Sequence, residues 1–233
     1  MKISHFLNSL VIAMVNSKAR KIKTNKLSYL TYGALNNIHK AVKKVEQNKV
    51  EGIFIEAGCA LGGSTIMIGQ TKAQSRPLYV YDTFGQIPPP TEHDGSDIHS
   101  RYKKIKSGNS KGIKNDPYYG YEKNLLEKVR HNLKRFDLTQ KDQISLIKGL
   151  FKDTLKIKNP VAFAHIDCDW YDSVMNCLEQ IEPRISRGGI LIIDDYYDWS
   201  GCRSAVDTYF KRENNAAAYT FTTKHRKLIL TRK

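Results

Sequence analysis

Carboxylates recur in this chain at the ends of short apolar runs. Glu56 closes GIFIE, Asp82 closes PLYVYD, Asp167 closes VAFAHID, and the pair Asp194–Asp195 closes GGILIIDD. Acids at the carboxyl ends of strands can share one crevice, where they bind a cation or accept protons. Asp167, Asp194 and Asp195 end what read as neighbouring strands. Three carboxylates so placed would repel one another unless a cation neutralised them. Hard oxygen ligands favour Mg²⁺ or a similar divalent ion. Asp169 is the rival for the place of Asp167, because strand alternation would point both to one side. Asp169 and Asp172 also have an ordinary use as caps of the following helix. His165, just before the acid, reads as a satisfied strand histidine rather than a catalytic one.

A second chemical signal is the stretch Glu56-Ala57-Gly58-Cys59-Ala60-Leu61-Gly62-Gly63-Ser64. A strand, a glycine turn and a helix start make a cradle in which backbone can approach a ligand, with Ser64 as the helix cap. No Gly-Lys-Ser/Thr follows, so this is not a phosphate loop of that kind, and the spacing is not G-x-G-x-x-G. Asp82 ends the next strand, where an acid can accept hydrogen bonds from both ribose hydroxyls. Glycine turn plus ribose acid points to an adenosine-type ligand, with Phe84 packing against the base.

The elements that must position these groups follow from periodicity. An amphipathic helix is expected over residues 28–49, with Leu30, Leu35, Ile38, Val42 and Val45 on one face. Strands are expected at 52–56, 77–82, 143–149, 161–167 and 188–195. Helices should follow from Ser64 and over 122–136, 171–185 and 201–212. YTFTT and KLILTR read as a final hairpin. Alternating apolar strands and helices give a mostly parallel sheet covered on both faces. Residues 85–121 carry three consecutive prolines and no sustained apolar period, which predicts a lid or substrate loop. Within it, Tyr118, Tyr119 and Tyr121 could stack on a sugar face, while His93 and His99 read as solvated.

Length and composition narrow the classes. With 233 residues, one α/β domain over 1–233 is expected, carrying a helical N-terminal extension over 1–48. That extension offers helices for self-association. No apolar run approaches the roughly 20 residues of a spanning helix. The segment MKISHFLNSLVIAMVNSKA reads as a docking helix rather than a signal peptide, because Asn8 and Ser9 break its apolar stretch. Four cysteines, at 59, 168, 177 and 202, form no CxxC pair and read as buried reduced thiols, which suits the cytoplasm. The net charge is +15, with Glu46 the sole acid of the first fifty residues. A basic shell around an acidic centre suits an anionic substrate or surface. It also leaves a second reading, a nucleic-acid-binding module using the basic N-terminal third and tail. Convergent acids argue against that reading, since phosphate binding needs none.

The order IEAGCALGGS, VYDTFGQIP, KGLFKDTL, HIDCDWYDS, RGGILIIDDY and GCRSAVD, from about Lys49 to about Asp207, resembles the macrocin O-methyltransferase family. The resemblance implies a Rossmann-like class I methyltransferase fold and use of S-adenosylmethionine with a divalent metal to methylate a sugar hydroxyl, in a glycan or glycosylated metabolite. It implies Mg²⁺ held by Asp167, Asp194 and Asp195. Cofactor contacts are implied from Glu56, Gly58 and Ser64 on the methionine side and Asp82 on the ribose, with Ala57, Gly62, Gly63, Thr83 and Phe84 completing the set. The chain departs from the family at Ala60-Leu61, where an aromatic–basic pair is usual. An alcohol is a weak nucleophile, so Asp167 or a carboxylate beside it is expected to take the proton.

Overall fold

Seven strands form one sheet in the order β3-β2-β1-β4-β5-β7-β6 in the computed structural model, which describes residues 16–233. The strands are β1 (Ile53–Ala57), β2 (Leu78–Asp82), β3 (Ile144–Lys148), β4 (Val161–Ile166), β5 (Ile185–Ile193), β6 (Tyr219–Lys224) and β7 (Lys227–Arg232). The first five run parallel; β7 is antiparallel to β5, and β6 to β7. The sequence thus predicts both the parallel sheet and the C-terminal hairpin. Chain order runs outward from β1 through β2 to β3, then returns to β4 on the other side. The β1/β4 boundary is therefore the topological switch point, where ligands of open α/β sheets bind.

Eight helices are described: α1 (Ser17–Thr24), α2 (Tyr32–Gln47), α3 (Gly63–Gly69), α4 (Ser96–Lys106), α5 (Leu125–Arg135), α6 (Phe151–Thr154), α7 (Tyr171–Ile181) and α8 (Ser200–Glu213). Adjacent strand residues face opposite sides. Phe54 and Phe163 pack with Leu35, Ile38 and Val42 of α2 on one face. Ile55 and Ala164 pack with Leu178 of α7 and Val206 of α8 on the other. Both faces are dry, so the central strands are apolar throughout, apart from Glu56 and His165.

Two local expectations are corrected. The expected helix over 28–49 begins at Tyr32, because Thr31 caps it by accepting from Ala34 N at 3.1 Å. The lid over 85–121 contains the helix α4, whose only buried apolar side chains are Ile98 and Ile105. Two anchors a heptad apart give too little periodicity to read as a helix. The docking helix expected in the first nineteen residues falls largely outside the described residues; α1 begins at Ser17.

The linker between α1 and α2 lies directly on the start of α3. A Cβ at Gly63 would come within 2.4 Å of Leu27 O and 2.6 Å of Ser28 Cβ. Backbone there cannot yield without moving the linker. Gly63→Ala should cost about 1–3 kcal/mol, as overpacking does, and lower the melting temperature by about 2–4 °C per kcal/mol for a chain of this size. Thermal denaturation followed by circular dichroism measures it; an unchanged midpoint would contradict this packing.

Candidate active site

A cavity of about 650 Å³ opens over the carboxyl ends of the strands flanking the switch point. Gly58, Asp82, Asp167, Asp169, Asp194 and Asp195 line it from the sheet. Tyr29 of the α1–α2 linker, Arg101 of α4, Tyr118 and Tyr119 of the lid, and Trp170 and Trp199 add aromatic and basic walls. His225, Arg226 and Lys227 enter from the β6–β7 turn.

The turn after β1 is shaped by close approach. Gly58 has φ +88°, and a Cβ there would fall 1.8 Å from Asp167 O, so β1 and β4 can meet only over glycine. Asp82 braces the same turn. Its Oδ2 accepts from Cys59 N at 2.8 Å and Ala60 N at 3.2 Å; its Oδ1 accepts from Phe84 N at 2.7 Å. Burial raises the Asp82 pKa, and these amides work the other way. Helix α3 starts at an N-cap, Gly62, with φ 85° and no side-chain cap. Ser64 is therefore not the cap; it sits inside the first turn of α3 and lines the cavity.

Beneath this floor runs a buried polar chain. Thr65 Oγ1 donates to Glu56 Oε2 at 2.5 Å, and His165 Nδ1 lies 3.3 Å from Glu56 Oε1. His165 Nε2 and Asp194 Oδ1 face each other at 3.7 Å, both buried and both without a hydrogen-bond partner. Burial opposes the imidazolium, yet Asp194 and Glu56 together raise the His165 pKa to about 10. On the cavity side, Lys227 Nζ lies 2.6 Å from Asp194 Oδ2 and 3.1 Å from Asp198 Oδ2.

The acids themselves are strained electrostatically. Burial, then Asp194 and Asp195, push the Asp167 carboxyl well above the usual range. Burial, then Asp169 and Asp194, do the same to Asp195. Asp169, held in a left-handed conformation with φ 61°, is raised to about 6 by burial, with Arg101 pulling the other way. His165, Asp167 and Asp194 offer atoms that all lie within 4.8 Å of one another. An orphaned buried carboxylate oxygen and carboxyls raised by burial and by one another fit a divalent cation with hard oxygen ligands.

Of the residues singled out in the sequence, Gly58, Ser64, Asp82, Tyr118, Tyr119, Asp167, Asp169, Asp194 and Asp195 meet at the cavity. Thr83 lines a smaller pocket beside it, with Phe151 and Ile87. The remaining expected cofactor contacts do not line it. Glu56 and Ala57 are fully buried in β1, Gly62 and Gly63 meet Val129 and Leu27, and Phe84 packs into the core. Glu56 is thus a support below the crevice rather than one of its carboxylates. Sequence reasoning missed Arg101, Trp199 and the basic turn 225–227, because nothing local to those positions marks them; only the fold of the lid and hairpin brings them in. All four cysteines are free and buried, and no described helix is long and apolar enough to cross a membrane.

Comparison with known proteins places these features in a group. The family model described as macrocin-O-methyltransferase (TylF) matches residues 20–220. The 8-demethyl-8-(2,3-dimethoxy-alpha-L-rhamnosyl)-tetracenomycin-C 4'-O-methyltransferase of Streptomyces olivaceus is 33% identical over 184 residues, covering 75% of this chain and 64% of that protein. The chain thus spans under two thirds of that relative's length. The demethyldecarbamoylnovobiocin O-methyltransferase of Streptomyces niveus is 31% identical over 212 residues, covering 84% and 72%. Among solved structures, the O-methyltransferase NovP superposes with a TM-score of 0.73 at 27% identity, covering 89% of this chain and 82% of that one.

The raised Asp169 gives a signed pH dependence. An acid whose folded pKa exceeds its unfolded value destabilises the fold once ionised. Its cost appears as pH rises from the ordinary carboxylate range through about 6 and persists above. Asn tolerates the left-handed conformation. Asp169→Asn should therefore raise the metal-free melting temperature at pH 8, by about 2–4 °C per kcal/mol of burial and charge cost removed, with the gain shrinking as pH falls toward 4. A gain equal at all pH values would count against the electrostatic assignment.

Proposed function

The chain belongs to the macrocin-O-methyltransferase family, and we propose that it transfers the methyl group of S-adenosylmethionine to a sugar hydroxyl at a site where Asp167, Asp194 and Asp195 hold a divalent cation. The observation that carries the reading is the meeting of those three acids with the Asp82-braced glycine turn in one cavity. The tetracenomycin relative is named for action on a rhamnosyl compound, which supports a sugar acceptor here.

S-adenosylmethionine would bring the methyl group already activated as a sulfonium, and a divalent cation would polarise the acceptor hydroxyl. The chain's own residues supply the rest. Gly58 admits the cofactor close to backbone, and Asp82 fixes the turn while offering remaining lone pairs to the ribose. Asp167 is the proton acceptor. Its backbone N donates to Ala57 O at 2.9 Å, which anchors it at the switch point beside Gly58. An acid raised as far as Asp167 accepts a proton readily once ionised. Trp170 and Trp199, packed edge to face at 6.0 Å, and the tyrosines of the lid give flat faces for a sugar ring and keep water out. Orientation of hydroxyl oxygen, methyl carbon and sulfur in line is what such a cleft contributes to rate.

Methyl transfer to a panel of methyl glycosides, followed by mass spectrometry, tests the reading. Asp167→Asn should lower kcat by about 100- to 10,000-fold, the range of a lost general base, while calorimetry shows S-adenosylhomocysteine affinity unchanged. Asp194→Asn should behave likewise, and excess chelator should abolish transfer until Mg²⁺ is restored. Full activity in chelator, or in Asp194→Asn, would overturn the metal-assisted part.

A further inference from the structure

The turn joining β6 to β7 is two residues long, His225 and Arg226, closed by the pair Lys224 and Lys227. Both residues have positive φ, 50° and 62°. A two-residue hairpin of this kind matches the twist of its strands, and Asn-Gly is its relaxed solution, because Cβ-bearing residues are disfavoured there. An imidazole and a guanidinium occupy those positions here, and both side chains line the reaction cavity.

The turn is also pinned in place. Asn37 Nδ2 donates to Lys224 O at 2.8 Å. A Cβ at Gly33, in the first turn of α2, would lie 2.4 Å from His225 Nδ1, so the bare glycine makes the seat for that ring. Arg226 donates to Asp198 Oδ1 through Nε at 3.0 Å and Nη2 at 2.7 Å, and Nη2 also donates to Tyr197 O at 2.6 Å. Arg226 Nη1 and the whole His225 ring have no hydrogen-bond partner among the described residues. Neither side chain fills the core; both are exposed at the cavity mouth. Backbone strain held by surrounding contacts, with idle donors facing a site, is the pattern of a functional element.

We infer that His225 and Arg226 are specificity-determining residues, donating hydrogen bonds to hydroxyls next to the one that is methylated. The inference rests on the sugar-acceptor reading. Arg226 already spends Nε and Nη2 on Asp198 and Tyr197, so the free Nη1 and the imidazole offer single donors suited to separate hydroxyls. The strained turn aims both donors from one rigid hairpin, which fixes their spacing against a sugar ring.

Two pairs of variants test it: His225→Gly with His225→Ala, and Arg226→Gly with Arg226→Ala. Each pair loses the same side chain and differs only in tolerance of positive φ. Each Gly variant should melt about 2–4 °C above its Ala partner. Relative methylation rates over the methyl glycosides of rhamnose, fucose, mannose, galactose, glucose and xylose form the second readout. The preference of best over worst acceptor should narrow by about 2- to 10-fold in the His225 variants, the value of one neutral hydrogen bond, and by about 10- to 100-fold in the Arg226 variants, where the donor is charged. S-adenosylhomocysteine affinity should not change. Equal melting within both pairs overturns the strain, and an unchanged preference overturns the specificity role while leaving sugar methylation standing. If the wild-type protein methylates none of these glycosides, the acceptor class fails and this inference with it.

Discussion

Carboxylates that burial and their neighbours keep from ionising are the constraint around which this fold is arranged. Asp167 and Asp195 are raised first by loss of water and then by one another's company with Asp194. Ionised together, they carry three negative charges in one cleft. Among the described residues, Lys227 is the lysine or arginine ion-paired with Asp194, and it offsets one. Burying charges that lack partners costs several kcal/mol each in real proteins, so without a cation these acids stay protonated, and a cation would let them ionise.

The rest of the structure keeps those acids at the right height and spacing. The parallel register of β1, β4 and β5 sets Glu56, His165 and Ile192 side by side, so the residues one step beyond the strands fall together at the cleft. The Thr65–Glu56–His165 chain joins the start of α3 to the floor under Asp194. Four of the non-glycine residues with positive φ line the same cavity: Ala60, Asp169, His225 and Arg226. Strain of this kind survives where the surrounding packing over-determines it, as the bracing of the glycine turn by Asp82 and of the hairpin by Asp198 illustrates.

Much of this was legible in the residues. Apolar runs ending on acids identified strands β1, β2, β4 and β5 and their common edge, because strand period and turn chemistry are local. Asp82, Asp167, Asp194 and Asp195 were expected at that edge for the same reason, and they line the cavity. Phe84 and Glu56 were misplaced because sequence gives the end of a strand but not which face a side chain takes there. Helix α4 was hidden because two buried isoleucines are too few to show a period. Arg101 and the turn 225–227 reach the cavity only through long-range packing of lid and hairpin, which no local pattern encodes.

Proton release on metal binding tests the central claim most directly. If burial and mutual repulsion hold Asp167 and Asp195 protonated, a cation that binds them must drive protons off. Titration calorimetry of Mg²⁺ into the protein at pH 7, repeated in buffers of different ionisation enthalpy, measures that release. The account predicts saturable binding of one ion with net release of protons, both lost in Asp194→Asn. No binding, or binding with no proton released, would contradict it.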